Sequence, residues 1–301
     1  MNPTAVLLVL GSGFLHATWN FMAKSSKDKL SFLWAAKVLA LFLLSPLFLY
    51  YLFDMGGIAR LNGSILEFIA FGLASGLVHF GYNYFLSLAY RYGDISFTYP
   101  IARGLAPFLV ALFSFFFIGE TPSVSGAAGM ILVAFGTVFL VNSKRNNDSG
   151  SDEAEVEEVS PFKQRAPLIF AGLTAITIAL YLFLDGNGAR RFTPFLFMYS
   201  YSFVSTVLLS LVILRRREKL FREVQINLKS ICATGVMMPL SYFLALSAME
   251  LAQLGYVASF RNVSVVFATL FGFFLLGEEF TLYRVVGSLF IFLGAVSLGL
   301  G

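Results

Sequence analysis

The chain has 301 residues, of which 58% are hydrophobic and only 13% are charged, with a formal net charge of +4 and a mean hydropathy of +0.79. This balance excludes a soluble globular domain and predicts a multi-pass membrane protein. The single cysteine, Cys232, excludes an internal disulfide framework. Most basic residues flank apolar segments, as expected beside a membrane, so we expect no nucleic-acid partner.

Ten apolar runs are long enough to cross about 30 Å of hydrocarbon, since a helix rises about 1.5 Å per residue. We therefore predict an all-α integral membrane protein with ten transmembrane helices. The first run lacks the basic flank and cleavage site of a signal peptide, so we expect it to remain a membrane helix. The predicted helices cover residues 3–22, 30–53, 65–89, 95–118, 122–142, 166–185, 193–214, 229–250, 253–276 and 281–300.

One long polar connection, residues 143–165, is acidic and rich in serine, a composition that cannot bury a core and predicts a flexible linker. It separates two predicted domains, residues 1–142 and 166–301, with five helices each. Because five is odd, the second half must enter the membrane from the opposite side. Two related halves in opposite orientation form an inverted repeat, an arrangement used for alternating access.

The two halves are related in sequence. With a shift of 158 positions, the 57 pairs from Tyr84/Tyr242 to Leu140/Leu298 contain 15 identities without a gap. Matches of leucine and phenylalanine are expected by chance in such a chain, but the coincident arginine, Gly-Glu and glycine positions are not. These informative matches are Arg103 with Arg261, Gly119-Glu120 with Gly277-Glu278, Gly129 with Gly287, and Gly136 with Gly294.

The glycines at 126, 129, 136, 287 and 294 are predicted to allow close helix packing. Each Gly-Glu pair is predicted to end one helix and to place a carboxylate at the amino end of the next, where the helix dipole favours it. The distribution of basic residues predicts the orientation: 15 lie in the loops on one side of the membrane and three on the other. The positive-inside rule puts the acidic linker in the cytoplasm and both termini outside.

Three cations lie inside apolar segments: Lys37, Arg103 and Arg261. Placing such a charge in hydrocarbon costs about 2.5 to 3.5 kcal/mol on insertion scales, so each is expected to face protein or a water-filled cavity. Pro100 and Pro107 flank Arg103 and predict an interrupted helix, as at many transporter sites. Snorkelling, or hydrogen bonding to unwound carbonyls, is an alternative role that the sequence leaves open.

Polar residues recur every four positions on three predicted helices, which places them on one face of each. Such faces should meet each other or line a cavity rather than contact lipid. Four acidic residues lie close to predicted helix ends: Asp54, Glu67, Asp185 and Glu250. The sequence therefore predicts no carboxylate proton relay. The faces comprise Ser12, His16, Asn20 and Lys24; Ser75, His79, Asn83 and Ser87; and Thr177, Tyr181 and Asp185.

We predict that the inward cations and nearby polar side chains contact a polar substrate. The histidines could instead serve only as interhelical hydrogen-bond partners. With two histidines and one cysteine, the chain offers no metal-ligand spacing, phosphate-binding loop or nucleophile motif, so we expect no cofactor, no metal and no enzymatic activity. The predicted substrate-binding residues are Arg103, Arg261, Lys37, His16, Asn20, His79, Asn83, Tyr99 and Tyr181.

The sequence resembles the EamA-type transporters of the drug/metabolite transporter superfamily. The resemblance rests on the five-plus-five repeat, on HATWN at 16–20, on YRYGDISFTYPIARGLAP at 90–107 and on the Gly-Glu pairs. It implies a central cavity inside the first four helices of each half, with the fifth helix peripheral. Related proteins export amino acids and other small metabolites, and often carry a basic residue where Lys37 lies. The long linker and the external termini depart from the family pattern.

We therefore expect a secondary transporter or exporter of a small polar metabolite in a prokaryotic inner membrane. An arginine pairs with a carboxylate or phosphate bidentately, so the three cations would bind such a group on the solute. An exporter of cationic or apolar drug-like compounds, a membrane-embedded enzyme and a scaffold without transport are the alternatives. Proton coupling through histidine and a homodimer are both compatible with the sequence, which decides neither.

Overall fold

The computed structural model describes residues 1–23, 26–53, 64–92, 95–145, 161–276 and 282–300. These residues contain helices and no β-strand, so the all-α class is confirmed for them. The helices are α1 (Pro3–Ala23), α2 (Lys29–Phe53), α3 (Ile65–Tyr92), α4 (Ile95–Ile118), α5 (Val124–Arg145), α6 (Pro161–Phe192), α7 (Pro194–Ile213), a 3₁₀-helix (Leu214–Arg216), α8 (Arg217–Leu251), α9 (Leu254–Phe260), α10 (Val263–Leu276) and α11 (Leu282–Leu300).

The predicted number of ten transmembrane helices is not confirmed. Over the described ranges, six continuous helical stretches are long and apolar enough to cross a membrane, and three more are apolar but shorter. One reason is that α7, the 3₁₀-helix and α8 follow one another without a gap over Pro194–Leu251, a stretch of 58 residues. The predicted helix over 253–276 is instead divided into α9 and α10.

Large apolar side chains cover the outer surface of the helices. Phe42, Phe116 and Phe274 are 75%, 70% and 74% exposed. A soluble protein rarely exposes apolar surface on this scale, whereas a bilayer covers it with acyl chains. The protein is therefore an integral, multi-pass membrane protein.

Two helices differ from their predicted course near charged residues. α4 runs through Pro100 and Pro107 to Ile118, so the predicted interruption beside Arg103 is wrong. A proline removes one backbone hydrogen bond, and a membrane helix held by its neighbours can tolerate that loss. The chain breaks instead in the second half, at Arg261 and Asn262, between α9 and α10.

α8 begins twelve residues before the predicted start at position 229. Its charged first part meets the apolar part at Asn227, whose non-helical φ of −116° and ψ of 22° mark a kink. Glu223, buried one turn earlier, accepts hydrogen bonds from Asn227 Nδ2 at 2.6 Å and from the backbone N–H of Asp28 at 3.0 Å. The predicted boundary thus coincides with the kink rather than with the start of the helix.

Packing divides the chain into two compact units. Unit 1 comprises residues 1, 81–183 and 253–301, and unit 2 comprises residues 2–80 and 184–252. Both α3 and α6 contribute residues to each unit. The predicted domains, 1–142 and 166–301 with the linker 143–165 between them, mark repeats of sequence rather than packing, and they stay a prediction. Residues 146–160 of that linker lie outside the described residues.

In unit 2, α8 packs against α1 and α2, and α2 also packs against α7. A small apolar cluster joins α1, α2 and α8 through Ala23, Phe32, Ala36 and Ile231. α3 approaches α7 very closely, since a Cβ on Gly76 would lie 2.5 Å from Cβ of Val204. This approach depends on glycine and determines which side chains of α3 and α7 can meet.

In unit 1, α5 packs along α11 through glycines predicted to allow close packing. A Cβ on Gly129 would lie 2.8 Å from the carbonyl oxygen of Gly294, and one on Gly136 would lie 2.6 Å from that of Gly287. The earlier glycine of α5 faces the later glycine of α11, and the later one faces the earlier one, so the two helices are antiparallel. Because Gly129 is equivalent to Gly287 and Gly136 to Gly294, equivalent residues exchange partners, as they do at a two-fold interface. This packing supports the predicted inverted repeat.

Candidate functional site

The centre of the candidate site is a buried carboxylate in unit 2. Asp185 on α6 is 0% exposed, and its oxygens receive hydrogen bonds from α3 and α8. Ser75 Oγ donates to Oδ1, Tyr242 Oη donates to Oδ2, and His79 Nε2 lies 2.8 Å from Oδ2. A buried carboxylate is stable only when paired and hydrogen-bonded, and these three side chains meet that need.

The spacing of residues on α3 directs two side chains to this carboxylate. Ser75 and His79 are four residues apart and therefore share one face of the helix. On α7, Tyr201 lies flat against the imidazole of His79, with ring centroids 4.4 Å apart and planes 9° apart. We refer to Ser75, His79, Asp185, Tyr201 and Tyr242 as the Asp185 cluster.

The prediction that Asp185 lies close to a helix end is wrong. α6 continues seven residues beyond it, to Phe192, although 186–191 reads GNGARR and looks like a loop. Gly188 packs against the ring of Phe197, and a Cβ on this residue would lie only 2.4 Å from Cζ of Phe197. The contact between α6 and α7 therefore depends on a glycine at this position. The two polar faces predicted on the third and sixth helices therefore meet, and one of them carries a buried carboxylate.

The last turn of α6 ends in two arginines with different roles. Arg190 caps the end of α8, donating from Nε to the carbonyl of Met249 and from Nη2 to that of Ala252, both at 2.7 Å. A cation is favourable beside the last carbonyls of a helix. Arg191 instead forms a half-exposed ion pair with Glu67 on α3, at 2.8 Å. Together they fix the position of the α6 segment that carries Asp185.

Lys37 lies eight residues after the start of α2 and is partly buried. Its Nζ donates a hydrogen bond to Ser205 Oγ on α7 at 2.9 Å, and within the described part of the chain no carboxylate pairs with it. Ser205 lies four residues, or one turn, after Tyr201. The same face of α7 therefore contacts two predicted site residues, Lys37 and His79.

The other two predicted residues of unit 2 lie on α1. The ring of His16 is half-buried and meets that of Trp19 edge-on, with centroids 5.0 Å apart. Asn20 is exposed, and its Nδ2 donates to the carbonyl of His16 at 2.7 Å. Asn20 thus uses this donor within its own helix.

The remaining predicted residues belong to unit 1. Tyr181 is buried and meets Tyr82 edge-on, with centroids 5.6 Å apart. Arg261 ends α9 at the break before α10, where its backbone N–H bonds to the carbonyl of Val257 at 3.0 Å. Asn83 is half-buried on α3. The side chains of Tyr99 and Arg103 lie outside what the structure describes, so their predicted roles stay predictions.

The Gly-Glu prediction holds in part for the first pair. Gly119 follows the last residue of α4 with a φ of +69°, a left-handed conformation that suits glycine at a helix end. Glu120 places its carboxylate at a helix amino end, but that of α9 rather than of the next helix, α5. Its Oε2 accepts a hydrogen bond from the N–H of Leu254 at 2.9 Å. The second pair, Gly277-Glu278, lies outside the described residues.

Sequence reasoning missed four members of the cluster as functional candidates: Ser75, Asp185, Tyr201 and Tyr242. Asp185 belonged to a recognised polar face, but the apparent end of its helix argued against its burial. Tyr242 was noticed only because it aligns with Tyr84 in the repeat. Tyr201 carries no signal in the sequence, because its role follows from the close approach of α3 to α7.

These features define a multi-pass helical membrane protein that holds charged and polar side chains within its apolar segments. Residues 3–142 and 165–300 match the model of the EamA-like transporter family, once for each repeat. The matches cover nearly the whole chain, so the protein belongs to the EamA-like transporter family, a family of transporters and not of enzymes.

A crystal structure described only as that of a protein is similar over 100% of this chain and 98% of its own. The TM-score is 0.73 and the sequence identity 18%, so this likeness concerns the fold alone. No curated protein matches the chain.

Proposed function

We propose that the protein is a secondary transporter or exporter of a small polar metabolite and that it works by alternating access. The solute carries a carboxylate or phosphate group, as an amino acid does. The protein resides in a prokaryotic inner membrane, with the acidic linker in the cytoplasm. Family membership supports transport, and the inward cations support an anionic group on the solute.

The observation that carries the proposed substrate class is Lys37. A lysine eight residues inside a membrane helix is costly unless an anion or water compensates its charge. In the described part of the chain its partner is a neutral hydroxyl, that of Ser205, and a hydroxyl cannot neutralise the ammonium. A carboxylate or phosphate on the solute would do so. Arg103 and Arg261 lie at equivalent positions of the two repeats, and a guanidinium pairs with the same kind of group bidentately.

The proposal is tested by a thermal-shift screen of the purified protein against anionic, zwitterionic and cationic metabolites. A ligand at 100 times its dissociation constant stabilises a protein by about 2.7 kcal/mol. Stabilisation by an anion or amino acid should disappear in Lys37→Gln and weaken in Arg103→Gln and Arg261→Gln. Lys219→Gln, which removes an exposed lysine of α8, is the matched control.

Two other results would contradict the assigned substrate class. Stabilisation by cations or apolar compounds alone, unchanged in the three variants, would assign the cations to the scaffold. If Lys219→Gln lost as much ligand stabilisation as Lys37→Gln, net charge rather than a specific site would control binding.

A scaffold without transport remains the second candidate, because Ser75, His79, Asp185 and Tyr242 pair with each other as that alternative predicts. Cysteine accessibility separates the two candidates. Exposed Cys232 is first replaced by serine, and single cysteines are then introduced at Tyr99 and Tyr181. Reaction of both with a water-soluble thiol reagent would exclude a closed core, whereas protection of both would favour the scaffold.

A further inference from the structure

We propose that His79 and Asp185 together form the proton-binding site that couples solute movement to a proton gradient. This inference rests on the proposed transport function and adds to it the coupling ion and the residues that bind it. The argument uses unit 2 alone, since both residues and all their described partners belong to it.

Hydrogen bonding alone does not explain why histidine is present. Ser75 already donates to one oxygen of Asp185, and Tyr242 donates to the other. Each carboxylate oxygen therefore has a neutral donor without His79. The imidazole adds the one donor of the cluster whose charge changes near neutral pH. A pair that served only to join helices would not need a group that ionises.

The surroundings favour a charged imidazole. Tyr201 lies flat against the ring at 4.4 Å, and the ring face of an aromatic residue attracts a cation. Tyr242 approaches the same imidazole edge-on, with centroids 6.0 Å apart. The carboxylate on the other side supplies the opposite charge. A proton on the imidazole is thus stabilised by the ring face of Tyr201 and by the carboxylate of Asp185.

The two members of the pair differ in exposure. The side chain of Asp185 is 0% exposed, whereas that of His79 is 11% exposed. A proton would therefore arrive at the imidazole, while the carboxylate stays covered by its donors. Asp185 holds the charge that makes the imidazole a favourable proton acceptor, and His79 forms the new N–H bond.

The proton balance is simple. In the unprotonated state the pair consists of a carboxylate and a neutral imidazole, with a net charge of −1. One proton from water binds the imidazole, so the pair becomes neutral, and the same proton returns to water on the other side of the membrane. A neutral pair is cheaper to bury than a net charge, so protonation favours a closed state over a hydrated one.

Other titratable groups approach the pair from neighbouring helices. α7 contributes Tyr201, and α2 brings Lys37 to Ser205, one turn along α7. α8 contributes Tyr242, and α1, which packs against α8, carries His16. A nearby ammonium on Lys37 stabilises the unprotonated pair and opposes proton uptake. An anionic solute bound at Lys37 would reduce that opposition, so the solute and the proton would favour each other's binding and cross the membrane in the same direction.

The test uses the full-length protein in liposomes that contain a pH-sensitive dye, with a mixture of ¹⁴C-labelled amino acids and short carboxylic acids as the probe. Exchange is measured at equal pH on both sides, and accumulation under an imposed pH difference. We expect the wild type to show both, with dye-reported proton movement. The ratio of accumulation to exchange should fall at least about ten-fold in Asp185→Asn, a change typical of lost coupling.

Asp185→Glu keeps a carboxylate and should restore the ratio. Glu218→Gln removes an exposed carboxylate of the same unit and should leave the ratio unchanged. If Asp185→Asn does not reach the membrane, His79→Gln serves instead, because Ser75 and Tyr242 still hold the carboxylate.

Two results would overturn the inference alone: exchange by the wild type without accumulation or proton movement, or an unchanged ratio in the variant. Absence of exchange by the wild type would contradict the proposed function, and the inference with it.

Discussion

A single buried residue, Asp185, connects three helices of unit 2. Its carboxylate joins α6 to α3 and α8, and three side chains share the cost of burying it. Removing a partner from such a group leaves an uncompensated polar atom, which costs more than the lost hydrogen bond is worth. The stability of the unit should therefore respond to each donor.

Tyr242→Phe removes one donor to Asp185 and keeps the ring that packs against His79 and Tyr201. We expect a loss of about 1 to 3 kcal/mol, the usual cost of leaving a buried acceptor short of a partner. Thermal unfolding in detergent measures it. Tyr199→Phe is the matched control, because its hydroxyl lies 3.4 Å from the carbonyl of Leu41 and forms at best a weak bond. Equal losses in both variants would contradict the account.

At the scale of elements, helix contacts explain which sequence predictions succeeded. Apolar runs gave the approximate course of the helices, because spanning a bilayer requires a fixed length of apolar chain. Glycine positions predicted close packing on α5 and on α11, because only a missing side chain allows backbones so close, but they did not predict that these two helices pack on each other. The course of α6 beyond Asp185 and the break at Arg261 were not predictable, because both depend on tertiary contacts.

The local two-fold relation between α5 and α11 predicts equivalent effects at equivalent positions of the two repeats. Gly136→Val and Gly294→Val, which are equivalent, each introduce a side chain against the backbone of the opposite helix. Overpacking of this kind costs about 1 to 3 kcal/mol, and we expect similar losses for the two variants in thermal unfolding. Gly299→Val on α11 is the control, because a Cβ there meets nothing within 4 Å. A large loss in the control, or in only one variant, would contradict the symmetric packing.

At the scale of the molecule, the sequence predicted a membrane protein with two repeats, and both features are confirmed by the apolar helices and the family matches. It predicted the substrate site less well. His79 and Lys37 both contact α7, but the carboxylate that pairs with His79 was assigned to a helix end. Periodicity identifies the face of a helix, whereas the partner of that face depends on how helices approach each other.

The central claim is that the protein moves a small solute with an anionic group, and exchange in liposomes tests it most directly. Vesicles loaded with an unlabelled mixture of amino acids and short carboxylic acids are diluted into the same mixture labelled with ¹⁴C. We predict saturable uptake by the wild type and, for Lys37→Gln, a loss of about ten-fold or more at low concentration, as expected when a charged hydrogen bond is removed. Uptake no greater than in protein-free vesicles, or equal uptake by wild type and Lys37→Gln, would contradict the account.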